Sequence, residues 1–229
     1  MEHVGATPGM AAVYAVRHGQ SVANVLFAEA VRAGDGAGAG GGGPVVAGGD
    51  AAVPLSAAGR EQAAGLRAWV RDAGIDLVVT SPYARARQTW ELMAGESTAP
   101  VVVDERLRDR ETGVFELMTP AAVAARAPQE SARRELLGDW YYRPPGGESL
   151  ADVVLRVRDF VRDASTAAAG RRVLVVAHDA VVLSLRHVFD GFGAPLPDPA
   201  LAVPNASVSH WVPDGSGGMR LASFGVTRP

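Results

Sequence analysis

The chain has no cysteine. That excludes disulfides, zinc–thiolate centres and a thiol nucleophile, and it leaves the redox compartment open. No apolar stretch is long enough to span a membrane. Met1 to Met10 carries Glu2 and His3 and lacks the basic region and long apolar core of a signal peptide. A net charge of −3 over 229 residues gives no broad basic face for nucleic acid. The expectation is a soluble, cytoplasmic protein whose partner is neither nucleic acid nor a membrane, with residues 1–10 as a disordered tail. A glycine-rich loop at 34–50 has nine glycines between Gly34 and Gly49. It lacks the Lys-Ser/Thr ending of a P-loop and a strand directly before it, so it reads as a flexible segment, disordered or a lid, and not as a phosphate cradle.

What is present is a core. Apolar residues make up 48% of the chain, enough for one domain over residues 11–229. The stretch Ala11 to Asn24 organises it. Val13, Tyr14 and Val16 suit a buried strand that ends abruptly in Arg17-His18-Gly19, followed by a polar turn with Ser21 and Asn24. A cation beside an imidazole at the end of a buried strand is costly without a ligand or partner.

Further along, Ser56 caps a helix that carries Gln62, Leu66, Trp69 and Val70 and stops at Gly74. Asp76 to Thr80 reads as a second strand, running through Ser81-Pro82 into a helix with Arg85, Ala86, Trp90 and Met93. Val101 to Val103 is a third strand. The charged stretch Asp104 to Glu116 reads as a loop, Thr119 to Leu137 as helices interrupted near Pro128, and Trp140 to Gly147 as a rigid turn. Ser149 and Asp152 form a capping box for a helix with an apolar stripe from Leu150 to Val161. Arg172 to Ala177 is a fourth strand, ending in His178-Asp179 and a helix. Ala206 to Val212 and Met219 to Phe224 close the chain as a hairpin. Strands alternating with helices predict an α/β fold with a mostly parallel sheet.

In such folds ligands bind outside the carboxyl ends of the strands. Arg17 and His18 follow the first strand, Arg85 sits one turn into the helix after the second, and His178 follows the fourth. Two arginines and two histidines thus meet at one sheet edge, where helix N-termini add positive potential. Such a cluster is complementary to a phosphoryl group, which arginine grips bidentately. His187 and His210 lack a supporting motif and read as structural, Arg87 as a surface or ion-paired residue, and Trp140, Tyr141 and Tyr142 as core or pocket wall.

These residues carry a resemblance. Arg17-His18-Gly19 with Ser21 and Asn24, Pro54-Leu55-Ser56 with Gly59 and Gln62-Ala63, Ser81-Pro82 with Arg85-Ala86 and Gln88-Thr89, Pro145 to Ser149, Val175 to His178, and Asn205 to Val208 occur in the order seen in the histidine phosphatase superfamily, the phosphoglycerate-mutase-like proteins. The resemblance implies a three-layer α/β/α sandwich with a small helical cap over about 106–147. This cap borders the substrate pocket, and Arg126, Arg133, Arg134 and Arg143 are its main polar signals. It implies a metal-independent phosphatase without cofactor, in which His18 is the nucleophile and Arg17, His18, Asn24, Arg85 and His178 bind the phosphoryl group. The family's acid is a glutamate in a Leu-x-Glu…Gly pattern; here Leu107-Arg108-Asp109…Gly113 places the shorter Asp109 there, with Glu111 as the alternative acid. A phosphoglycerate mutase and a non-catalytic phospho-ligand binder are the competing readings. The mutases carry a Gly-Trp-containing segment where this chain has its glycine-rich loop, which favours a phosphatase.

Overall fold

The computed structural model describes residues 9–32, 48–191, 193 and 195–228. The expected tail falls outside these through residue 8, as does the glycine-rich loop through residue 47. Of the last two residues of that expected tail, Met10 is buried, and the Gly9 carbonyl accepts from Gly170 N–H at 3.0 Å.

Six strands form one sheet in the order β3-β2-β4-β1-β5-β6. They are β1 Ala12–Arg17, β2 Leu77–Thr80, β3 Val101–Val103, β4 Arg172–Ala177, β5 Val208–Pro213 and β6 Met219–Val226. β1, β2, β3 and β4 run parallel; β5 is antiparallel to β1, and β6 to β5. The fold is a mixed α/β sandwich, as expected.

Period-two alternation sorts the side chains to two cores. Val13, Ala15, Val173 and Val175 face α7 (Leu150–Ala167) and α8 (Asp179–Asp190), meeting Val153, Val157, Phe160, Val181 and Leu185. Val16, Leu174, Val176 and Val78 face the other way, against Leu66, Val70, Ala86, Trp90 and Met93. Those residues belong to the segment comprising α2 (Ala57–Gly65) and α3 (Arg67–Ala73) and to α4 (Ala84–Met93). β4 is therefore covered on both faces, which is why it reads as an unbroken apolar run.

Two elements differ from expectation. The helix capped by Ser56 is interrupted: Gly65 weakens it, and Leu66 N–H reaches back to Ala63 O at 3.1 Å, tightening the turn before α3. The segment from Trp140 does not begin as a turn. Within the cap, α5 spans Pro120–Arg126 and α6 runs from Pro128 through Tyr141, kinked at Gly138 (φ 73°). Burial of Trp140, whose indole N–H donates to Pro197 O at 2.8 Å, draws these residues into the helix. Trp140 is thus core, and Tyr141 is exposed. α1 (Val22–Arg32) follows β1 directly.

The sheet register levels the strand ends. Arg17 pairs with Ala177, and Thr80 with Val176. His18 N–H then donates to Ala177 O at 2.9 Å, and Ser81 N–H to Val176 O at 3.0 Å. The residues just past three strands are stitched together before any side chain contributes.

Candidate active site

Gly19 and Gly59 let the first strand end pack closely on α2. A Cβ on Gly19 would fall 2.4 Å from the Gly59 carbonyl, and one on Gly59 would strike the Gln20 carbonyl. Gly19 N–H donates to Thr89 Oγ1 at 3.0 Å, tying this turn to α4.

His18 is buried, with Nδ1 2.7 Å from the Gly19 carbonyl. A carbonyl only accepts, so Nδ1 carries the proton and Nε2 keeps its lone pair. Burial, then the charges of His178, Arg85 and Arg17, hold the imidazole pKa well below its ordinary range. His18 is neutral near pH 7, the form a nucleophile needs. Asn205 and Ala206 secure its backbone: Asn205 Nδ2 donates to His18 O at 3.1 Å, and Ala206, held at φ 55°, donates to Arg17 O at 3.0 Å.

His178 is fully buried and meets His18 edge-on, ring centroids 5.2 Å apart. Its Nε2 lies 2.8 Å from Ser81 Oγ. Its Nδ1 faces Asp109 Oδ2 at 3.2 Å, an ion-pair distance off the line of a good hydrogen bond. The ring of Tyr83 packs edge-on against His178 and lies 4.9 Å from the Arg85 guanidinium.

Arg85, 4% exposed, carries two carboxylates: Asp109 at 2.8 Å and Asp50 at 3.0 Å. Burial alone would raise the Asp109 pKa, but His178 and Arg85 outweigh it and hold the carboxyl well below its usual range. Arg17 donates to Val203 O at 2.6 Å and pairs with Asp179 at 3.1 Å. Asn24 Oδ1 accepts from Ser21 N–H at 3.0 Å, which leaves its Nδ2 as a donor for the cavity it lines.

The structure therefore brings Arg17, His18, Asn24, Arg85 and Asp109 together around a cavity of about 640 Å³; His178 is fully buried, is not among the lining residues, and touches the site through His18 and Asp109. Glu111 is not among its lining residues; its half-exposed carboxylate pairs with Arg108 at 2.9 Å. His210 stacks on Tyr14 in the sheet, and His187 lies near Trp140. Of the cap arginines, Arg134 lines the cavity and pairs with Asp139, Arg133 pairs with Glu130, and Arg143 with Asp152.

Several contributors had no signal in the sequence. Asp50, Asp179 and Val203 are placed at the site by tertiary contacts. Arg110 lines the cavity and donates to the carbonyls of Glu148 (2.8 Å) and Tyr142 (2.9 Å). Arg156 of α7 donates to the carbonyls of Arg106 (2.6 Å), Arg108 (2.9 Å) and Asp109 (3.0 Å), and grips Glu148. Glu148 also accepts from Arg108 and from the Glu111 N–H. The pattern Pro145 to Ser149 thus does more than shape a turn: it clasps the loop that carries Asp109.

The chain matches the model of the histidine phosphatase superfamily (branch 1) over residues 13–226. It belongs to that superfamily. A bifunctional protein of Mycobacterium tuberculosis is 35% identical over 154 residues, 67% of this chain and 42% of that one, so the chain spans less than half of that relative's length. A 2,3-bisphosphoglycerate-dependent phosphoglycerate mutase of Gloeobacter violaceus is 34% identical over 148 residues, 59% of this chain and 66% of that one. Among solved structures, a mycobacterial glucosyl-3-phosphoglycerate phosphatase in complex with VO3 superposes with a TM-score of 0.73 at 27% identity, covering 94% of this chain and 98% of that one. Of these relatives, one is a phosphatase and one a phosphoglycerate mutase. No helix among the described residues is long and apolar enough to cross a membrane.

Proposed function

We propose that this histidine phosphatase is a phosphomonoesterase that hydrolyses a small phosphorylated metabolite through a phosphohistidine on His18. The observation that carries the reading is the state of His18: neutral, with Nδ1–H fixed on the Gly19 carbonyl, its lone pair on Nε2, and two arginines and His178 around it.

In the first step Nε2 attacks phosphorus, the N–P bond forms and the ester P–O bond breaks. Arg17, Arg85, His178 and the Asn24 amide hold the phosphoryl oxygens; such positioning and charge stabilisation are most of what phosphoryl transfer requires. The leaving oxygen takes a proton from the Asp109 carboxyl. Asp109 is ionised without ligand because Arg85 and His178 neutralise it. A phosphoryl group that engages Arg85 draws that guanidinium away and adds negative charge beside the carboxylate, which raises its pKa and lets it carry a proton. In the second step water forms a bond to phosphorus, the N–P bond breaks, and Asp109 takes the water proton.

The ligand-type atoms of His18, Asp109 and His178 lie within 4.8 Å of one another. The Arg85 guanidinium already occupies the same Asp109 oxygen, and a divalent ion there would face its charge as well as that of Arg17. The donor set suits an oxyanion better, which supports metal-independent chemistry.

Hydrolysis of p-nitrophenyl phosphate in the presence of a chelator tests the reading. Activity that is lost in His18→Ala is expected; no activity, or activity that survives His18→Ala, contradicts it. The mutase relative keeps one alternative specific. With 3-phosphoglycerate and a trace of bisphosphoglycerate, phosphate release outrunning isomerisation favours the phosphatase, and the reverse order favours a mutase.

A further inference from the structure

Of the cations lining the cavity, the two flanking His18 in the phosphoryl site are already partnered by the protein's own carboxylates: Arg17 by Asp179, Arg85 by Asp50 and Asp109. Asp50 differs from the others in its geometry. Its Oδ1 and Oδ2 each lie 3.0 Å from Nη1 and Nη2 of Arg85, respectively. That is the parallel two-bond fork by which a guanidinium holds a phosphate. Its backbone carbonyl adds a third bond to Nη1 at 2.7 Å.

Asp50 is placed there by construction. Its N–H donates to the Glu116 carboxylate at 2.9 Å, at the base of the cap. Its carbonyl also accepts from Val53 N–H at 3.1 Å, and Val53 is fully buried, anchoring the other end of the turn. The side chain itself lines the cavity beside His18 and keeps 21% exposure. It is held, yet has solvent to retreat into.

We propose that Asp50 is a resident competing anion: its carboxylate occupies the Arg85 fork, and an incoming phosphoryl group must displace it, so that Asp50 sets the affinity of the site for oxyanions. This rests on the reading that Arg85 grips phosphoryl oxygens. Where the binding-competent form is a fraction of the population, apparent affinity falls by that fraction. A ligand carboxylate exchanging for Asp50 gains no charge, whereas a dianionic phosphoryl group does. The exchange therefore disfavours carboxylates in the phosphoryl site and hastens release of product phosphate. The alternative is that Asp50 only positions Arg85. The two roles have opposite signs: removing a competitor tightens anion binding, and removing a support weakens it. Arg85 keeps Asp109 and the residue-50 carbonyl in either case.

Inorganic phosphate and orthovanadate are titrated into wild type, Asp50→Asn and Asp50→Ala, with thermal melts to establish that each is folded; Asp50→Asn, nearly isosteric, decides if Asp50→Ala unfolds. Tighter binding in the variants by about fivefold or more, equivalent to a competent fraction of about 0.2 or less in wild type, is expected. Equal or weaker binding in a folded variant, with wild type still binding phosphate, overturns the inference. If neither wild type nor the variants bind phosphate or vanadate, the phosphoryl-site reading itself falls.

Discussion

Asp109 and Arg85 meet at the sheet edge, Oδ2 to Nη2 at 2.8 Å, the carboxylate from the loop after β3 and the guanidinium from the first turn of α4. If Asp109 protonates the leaving oxygen, its loss should hurt most where that oxygen is most basic. Asp109→Asn is expected to lower kcat on an alkyl phosphate by about 10²–10⁴-fold and on p-nitrophenyl phosphate by much less. Steady-state kinetics on the two substrates check this; equal losses would assign Asp109 to positioning alone. Glu111→Gln, which removes only a rim charge paired with Arg108, should leave the ratio unchanged.

The folded-state pKa of His18 lies below its unfolded value. The unfolded chain therefore binds the extra proton first. The stability tied to a neutral buried His18 is fully present above about pH 6.5 and is lost as pH falls below it, at up to about 1.4 kcal/mol per pH unit. Urea unfolding at pH 7.5 and pH 5.5 should show a smaller acid loss in His18→Asn than in wild type. Asp109, also depressed, acts in a lower window: its contribution is present above its ordinary value of 3.8 and declines as pH falls below that.

Arg156 and Glu148 are 10% and 13% exposed, and together they bind the backbone from Arg106 to Glu111. Removing one partner leaves the other charge and three carbonyls poorly satisfied. Arg156→Ala is expected to cost about 3 kcal/mol and to lower kcat as well, because the loop presenting Asp109 loosens. Denaturant unfolding and kinetics read the two effects separately. A loss of stability with unchanged kcat would detach the clasp from the chemistry.

Two glycines of α2 should respond oppositely. Gly59→Ala drives a methyl into the Gln20 carbonyl and should cost about 1–3 kcal/mol or more. Gly65→Ala meets no atom within 4 Å and restores a helix-forming residue, so it should be neutral or stabilising by up to about 1 kcal/mol. Thermal melts of the two variants make the comparison.

Where local chemistry decides the structure, the sequence was legible. The Ser56 and Ser149 caps, the stop at Gly74 and the β4 run are set by neighbours in the chain and appear as read, although the helix between Ser56 and Gly74 breaks at Leu66. The convergence of Arg17, His18, Arg85 and His178 followed from parallel strands ending at one level. Asp50, Arg110, Arg156 and Asp179 could not be read this way. They are single polar residues in turns or on helix surfaces, without periodicity, and only long-range contacts give them partners. The ionised state of Asp109 was hidden for the same reason: it depends on Arg85, 24 positions away, and on His178.

The central claim is that His18 forms a covalent bond to phosphorus. The protein is mixed briefly with p-nitrophenyl phosphate, quenched in base, where phosphohistidine survives, and digested for peptide mass spectrometry. The account predicts one added phosphoryl group on the peptide containing His18, lost on acid treatment and absent from His18→Ala. Turnover with no phosphorylated His18 at any quench time, or with the label on another residue, would contradict it.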